Sequence, residues 1–355
     1  MPRQLVITTD HEIFGNGAGD VRQHVVDPTE SMCRIGERYD VPITIFFELE
    51  EYLAFEREAE GLRKDLGYDP AKLMHRQAAD LAARGHDVQL HLHPQWHGAS
   101  RENGHWKLNM NRLTVDALFD SAEETCEYLV KRKSELETIS GKPVNTYRAG
   151  GFAAQPGQNL LKGLKQAGFV IESSVVKGLH RSVPHPLDFR KTPDAGLWKV
   201  SREVIEEDPS GNLWEIPIYS VMRRRLHQFT PQRILAKFSG NVPKEQQKTM
   251  VDQLQIGKNP FKIAAFLAQP VPIKLDYHNL SPKTLLRMIK QAPPPLSGNL
   301  DVVVAIGHSK EHIDDKRFET FVQMVAAEPD LQVVTFSQVA ERLSKNAGTQ
   351  NLNLA

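Results

Sequence analysis

Short β-branched and aromatic runs alternate with stretches of helical period along this chain. Val6-Ile7-Thr8-Thr9 reads as a buried strand, and 28–39 carries a helical pattern. Pro42-Ile43-Thr44-Ile45-Phe46-Phe47-Glu48 is β-branched and aromatic, hence a strand. A helical stretch over 72–84 closes on Gly85, a common helix stop, and Val88-Gln89-Leu90 opens the next strand. A long amphipathic helix is expected over 115–138, then a strand over 143–148 feeding a Gly-rich turn and a helix over 158–167. Phe169-Val170-Ile171 and 213–218 read as further strands. The unit then repeats: strand 302–306, helix 315–327, strand 332–336 and helix 339–344. Such alternation predicts an α/β fold, a largely parallel sheet or barrel with helices outside.

One stretch breaks the rhythm. Over 220–280 the sequence turns basic and helix-compatible, including Met222-Arg223-Arg224-Arg225 and Ile263-Ala264-Ala265-Phe266-Leu267-Ala268. It reads as an insertion capping a single barrel domain over 1–344. The three arginines are either a solvated face or a seat for an anionic substrate group. Pro293-Pro294-Pro295 reads as a stiff loop, and the polar tail 345–355 is expected to be disordered.

Composition narrows the function classes. Lys+Arg and Asp+Glu are equal at 44 each, which argues against a nucleic-acid partner. The two cysteines, Cys33 and Cys126, lie in helix-like stretches and suggest neither a disulfide framework nor a thiolate metal site. The chain enters its first strand by residue 5 without a leader pattern, and no apolar run nears the roughly 20 residues of a membrane span. A cytoplasmic protein without a transmembrane segment is expected.

Three strand ends carry the chemistry. His91 and His93 alternate on one face, so both imidazoles can aim at one divalent metal. Asp10 and Glu12 share a face at the end of the first strand, where α/β proteins place their sites. Val302-Val303-Val304-Ala305-Ile306-Gly307 delivers His308 at its end. Together these groups form the inventory of a hydrolytic metal site.

These segments resemble the NodB-homology polysaccharide deacetylases, carbohydrate esterase family 4, over about residues 5–342 outside the insertion. Thr9-Asp10-His11-Glu12 resembles the family's first motif, in an Asp-x-Glu form similar to intracellular and glycan-assembly members. Ile43-Thr44-Ile45-Phe46-Phe47 looks like the Ala-Thr-Phe-Phe strand. Gly85-His86-Asp87-Val88-Gln89-Leu90-His91 is similar to Gly-His-Glu-Ile-Gly-x-His, which places His91 at the first metal histidine. The second usually follows four residues later, where this chain has Gln95. His93-Pro94 resembles the expected His-Pro pair two residues early, with His97 the alternative. Tyr147-Arg148-Ala149-Gly150-Gly151-Phe152 resembles the motif whose arginine pairs with the catalytic aspartate. Gly168-Phe169-Val170-Ile171-Glu172-Ser173-Ser174-Val175, Trp214-Glu215-Ile216-Pro217, Ile306-Gly307-His308 and Val334-Thr335-Phe336-Ser337-Gln338-Val339 look like later family segments.

The resemblance implies a deformed (β/α) barrel of NodB type and a metal-dependent deacetylase acting on an N-acetylated sugar or glycan precursor. It implies Asp10 as base, Arg148 as its partner and His308 as general acid. One divalent ion, Zn2+ first and Co2+, Ni2+ or Mn2+ next, would be held by Glu12, His91 and His93. His11 is the alternative to Glu12. Trp96 and Phe152 are candidate sugar platforms, with Glu215 a candidate substrate contact, and Asp276-Tyr277-His278 could reach the pocket. Two rival readings stand beside this one: an amidohydrolase-type enzyme acting on a small non-sugar amide, and a catalytically inactive glycan-binding module.

Overall fold

The computed structural model describes residues 2–231, 260–295 and 300–352. Its centre is a parallel sheet of β1 (Arg3–His11), β2 (Thr44–Glu48), β3 (Asp87–Leu92), β4 (Thr146–Ala149), β5 (Ile171–Glu172), β6 (Trp198–Val200) and β7 (Leu213–Glu215). The outer ribbon strands are β8 (Ser220–Arg224) and β9 (Pro270–Lys274), and the last two strands are β10 (Val302–His308) and β11 (Leu331–Val333). The sheet order is β6-β7-β5-β4-β3-β2-β1-β10, with β11 also on β1; only the β6 pairing within it is antiparallel. Past β7, Ile218 bridges Val176 on one side and Val304 of β10 on the other. That single residue joins the two ends of the sheet and curls it into a barrel.

Period-two alternation then divides the core in two. Val6, Phe46, Ile171, Ile216, Ile218, Val304 and Ile306 pack together inside. One end of that interior is filled by Phe336, Val339 and Leu343 of α10 (Phe336–Leu352). Leu5, Ile7, Ile45, Phe47, Leu90 and Ala305 face the helices instead. These include α1 (Asp27–Glu37), α2 (Leu49–Arg57), α3 (Ala59–Leu66), α4 (Pro70–Ala83), α5 (Ala122–Ser140), α6 (Gln158–Gln166), α8 (Pro282–Gln291) and α9 (Asp315–Ala326).

Several expectations shift. The helix expected over 115–138 is broken: Thr114 caps a short turn, and Ser121 accepts from Glu124 N to start α5 afresh. Helices α2 and α3 occupy a stretch the pattern left unread. The last helix begins at Phe336 rather than 339 and its backbone continues to Leu352, into the polar tail. The 220–280 stretch opens and closes on an antiparallel ribbon, β8 with β9, and includes α7 (Pro260–Ala268); its residues 232–259 lie outside the described ones. Residues 353–355 of the tail also lie outside. Among the described residues no helix is long and apolar enough to cross a membrane.

Candidate active site

The inward register of each strand ends in a polar residue at the same rim. On β1 the sequence Val6, Thr8, Asp10 continues to Glu12; on β2 Phe46 leads to Glu48; on β10 Ile306 leads to His308. Neighbouring strands align these ends: Asp10 pairs with His308, Glu48 with His91, and His91 with Arg148.

Glu12 Oε2 lies 3.3 Å from His91 Nε2 and 3.1 Å from His93 Nε2. All three atoms are buried without a hydrogen-bond partner. Glu48, whose Oε2 is likewise unpartnered, completes a group in which one donor atom from each residue lies within 4.8 Å of the others. Buried polar atoms are ordinarily paired, so convergent orphans call for a further partner. Two imidazole nitrogens and a carboxylate oxygen suit a divalent cation of the zinc class. His91 Nδ1 donates to the Arg148 carbonyl at 2.9 Å, which turns the Nε2 lone pair toward Glu12. Burial drives His93 down to about 4 against the pull of Glu12, keeping its ring neutral. Burial would raise Glu12, but His93 and Lys310 outweigh it and hold the carboxyl well below the usual range.

His93 owes its position to Gly150. A Cβ there would stand 1.5 Å from His93 Cδ2, inside the ring's own volume. The Gly-rich turn after β4 therefore makes room for the second imidazole.

Beside this group lies an ion pair. Arg148 is fully buried, donates to Asp10 Oδ1 at 2.7 Å, to Thr8 Oγ1 at 2.9 Å and to the Ser173 carbonyl at 2.9 Å, and spans the Phe46 face. Burial opposes ionisation of Asp10, but Arg148, with His91 and His308, holds its pKa below the ordinary value. Asp10 Oδ2 lies 3.5 Å from His308 Nε2 and 3.9 Å from His91 Nε2. On the other side of the His308 ring, Nδ1 is 3.4 Å from Glu311 Oε2. Burial pushes His308 down; Glu311 and Asp10 more than offset it, and the pKa is raised.

Two neighbours were not anticipated from the sequence. Glu48 was visible as the inward residue after Phe46, but a strand-end glutamate before a helix reads as a cap, and it does accept from Glu51 N. Lys310 Nζ pairs with Glu12 Oε1 at 2.5 Å from a 3-10 turn after β10, where no periodicity points to it.

Other candidates fall elsewhere. His11 alternates to the helix side, pairs with Gln77 at 2.9 Å and stacks on Phe47, so it does not replace Glu12. His97 faces Glu50 at 3.3 Å within a cluster that includes Tyr128 and Arg132, away from the orphaned donors. Trp96 is wholly buried against Phe55 and Trp106 and presents no face for stacking. Glu215 is also fully buried, accepting from Val175 N at 3.2 Å, and its burial and Glu172 raise its pKa well above the usual range. Both lie in the interior here, packed against protein rather than at the open rim. Phe152 is half-buried with Lys274 Nζ 4.9 Å from its ring centroid, and remains a candidate platform. Asp276 caps its own turn through Asn279, while Tyr277 donates to the Thr8 carbonyl at 3.0 Å, pressed against Gly307 where a Cβ would meet it at 2.2 Å. Both support the wall rather than line the rim.

No family model and no curated protein matches the chain. Solved structures are similar to it at low identity. A protein described as a polysaccharide deacetylase, from Mycobacterium smegmatis, is 14% identical with TM-score 0.49, over 97% of this chain and 91% of that one. A 4-alpha-glucanotransferase from Thermococcus litoralis is 12% identical with TM-score 0.46, over 95% of this chain and 40% of that one. A Puue allantoinase is 10% identical with TM-score 0.43, over 95% and 89%. Two further structures described as deacetylases stand among the matches. The names span several activities, and the chemistry of this chain rests on its own residues.

Proposed function

We propose that the chain is a metal-dependent hydrolase that removes an N-acyl group, acetyl in the simplest case, from a sugar or glycan precursor. The observation that carries this reading is the convergence of Glu12 Oε2, His91 Nε2 and His93 Nε2, buried and unpartnered, beside the Asp10–Arg148 pair. The sugar is argued from the motif resemblance over both halves of the barrel.

Glu12, His91 and His93 would hold the cation, zinc first among the candidates. When bound, it supplies Lewis acidity toward a water and an acyl oxygen. Every remaining part belongs to the chain. Arg148 fixes Asp10 through Oδ1 and keeps it ionised, leaving Oδ2 to take a proton from the attacking water. His308, whose protonated form Glu311 and Asp10 favour, gives a proton to the departing amine. Phe152 is the aromatic face left for a sugar ring. Glu48, its carboxyl pushed well above the usual range by burial and by Glu51 and Glu12, would stand beside these three as a neighbour rather than as a fourth ligand. That leaves the open coordination positions a catalytic site requires.

The test is acetate release by the purified chain from free, nucleotide-linked and lipid-linked N-acetylhexosamines. Release that a chelator abolishes and a divalent metal restores is expected. Absence of release from all three by metal-loaded protein would overturn the sugar reading.

A further inference from the structure

A second polar feature lies on the outside of the barrel, on the ribbon. The chain leaves the wall at Tyr219, whose N–H donates to the Val304 carbonyl, and returns at Leu275, which donates to the Tyr219 carbonyl at 2.7 Å. Between those points β8 and β9 form the ribbon, and α8 follows at once. Ribbon and helix line an open cavity of about 470 Å³. Its apolar lining is Val221, Ile273, Leu280 and Met288, of which Ile273, Leu280 and Met288 are buried.

Beside the neutral side chains of Thr284 and Gln291, its charged lining has one sign. Arg223 from β8 and Arg287 from α8 reach it from opposite elements, and no carboxylate lines it among the described residues. Neither guanidinium forms an ion pair or hydrogen bond among the described residues. The run Arg223-Arg224-Arg225 thus separates into different roles. Arg225 folds back over the Phe266 ring at 4.0 Å, while Arg223 is left at the cavity.

Unpaired arginines from two elements are suited to a phosphate or similar oxyanion, which they can grip by charge-assisted hydrogen bonds. The apolar floor beneath asks for something more than a free ion. Exposed apolar side chains lie on the segments that flank the ribbon: Phe229 at 53% and Phe261 at 85% exposure. Apolar side chains beside cationic ones match the headgroup boundary of an anionic lipid layer.

We propose that this cavity is a second ligand site that takes a phosphate-bearing amphiphile, its phosphate on Arg223 and Arg287 and its apolar part against Val221, Ile273, Leu280 and Met288. The inference does not depend on the activity proposed for the barrel rim, and its residues are separate from the rim's.

The full chain should be titrated with dihexanoyl phosphatidic acid below its micelle concentration, with dihexanoyl phosphatidylcholine and with inorganic phosphate. Sedimentation with vesicles of phosphatidylcholine alone or mixed with phosphatidic acid supplies the membrane arm. The short-chain phosphatidic acid should bind at least about tenfold more tightly than either control, and only the anionic vesicles should carry the protein down. The double variant R223E/R287E should lose about tenfold or more of that binding, as expected for the loss of charge-assisted hydrogen bonds. Its melting temperature and its metal content should not change. Equal binding of inorganic phosphate would overturn the amphiphile, leaving an anion site alone. Undiminished vesicle binding by R223E/R287E would overturn the cavity, because general basic attraction would then suffice. No binding of any phosphate compound by the parent chain would overturn the proposal outright.

Discussion

At the scale of single residues, the account turns on protonation. Asp10 works ionised, and its pKa is held below the ordinary carboxylate value, so its acid limb lies below about 4. His308 works protonated, and its pKa is raised, so activity should fall only as pH climbs above the ordinary imidazole value of about 6.5. His308→Ala should lower turnover of an amide by about 10²–10⁴-fold and remove the alkaline limb. An activated aryl ester, whose leaving group needs no proton, should lose far less. Equal losses on ester and amide would make His308 structural. Most of these residues were legible because each ends a recognisable strand. The depth of Trp96 and Glu215 was not legible because a residue's type does not reveal it: an indole beside a histidine pair reads as a platform, yet its neighbours Phe55 and Trp106 close over it.

At the scale of elements, alternation decides which side chains meet. His11 lies between Asp10 and Glu12 in sequence but across the sheet from them in space, a distinction the strand period already contains. What the period does not contain is the loop geometry that fits His93 against Gly150. Gly150→Ala should push the imidazole from its place and weaken metal binding by about 10–100-fold, the range seen when the support of a ligand is removed. Competition with a chromophoric chelator measures it; unchanged affinity would show that His93 is placed by something else. The ribbon was read as helix-compatible because Arg, Leu and Ala favour helices, whereas its strands pair only through tertiary contact that local propensity cannot see.

At the scale of the whole molecule, the βαβ rhythm was enough to specify a largely parallel sheet or barrel, but not which of the two or how it closes. Closure depends on Ile218 lying between Val176 and Val304, a meeting of segments distant in sequence. The buried histidines carry a consequence for the whole fold. His11 and His93 are each depressed to about 4, chiefly by burial. In the unfolded chain both would take a proton near pH 6.5. Between about 6.5 and 4 these two rings therefore bind more protons in the unfolded chain, and the stability they contribute to the metal-free protein should fall as pH falls through that window, whereas the buried carboxyls of Glu48 and Glu215, raised in the fold, act with the opposite sign. The difference in urea midpoint between the parent chain and a His11→Gln/His93→Gln variant, measured in chelator at stepped pH, should shrink as pH falls; a difference that stays constant would place both rings in solvent.

The most direct test of the central claim is the metal content of purified variants, measured beside their acetate release. The parent chain and Asp10→Asn should each carry about one divalent metal, with Asp10→Asn inactive. Glu48→Gln should keep the metal as well. Glu12→Ala, His91→Ala and His93→Ala should each lose it and the activity together. Metal lost from Asp10→Asn, or kept by His93→Ala, would contradict the account, for the ion would then be held by a different set of atoms.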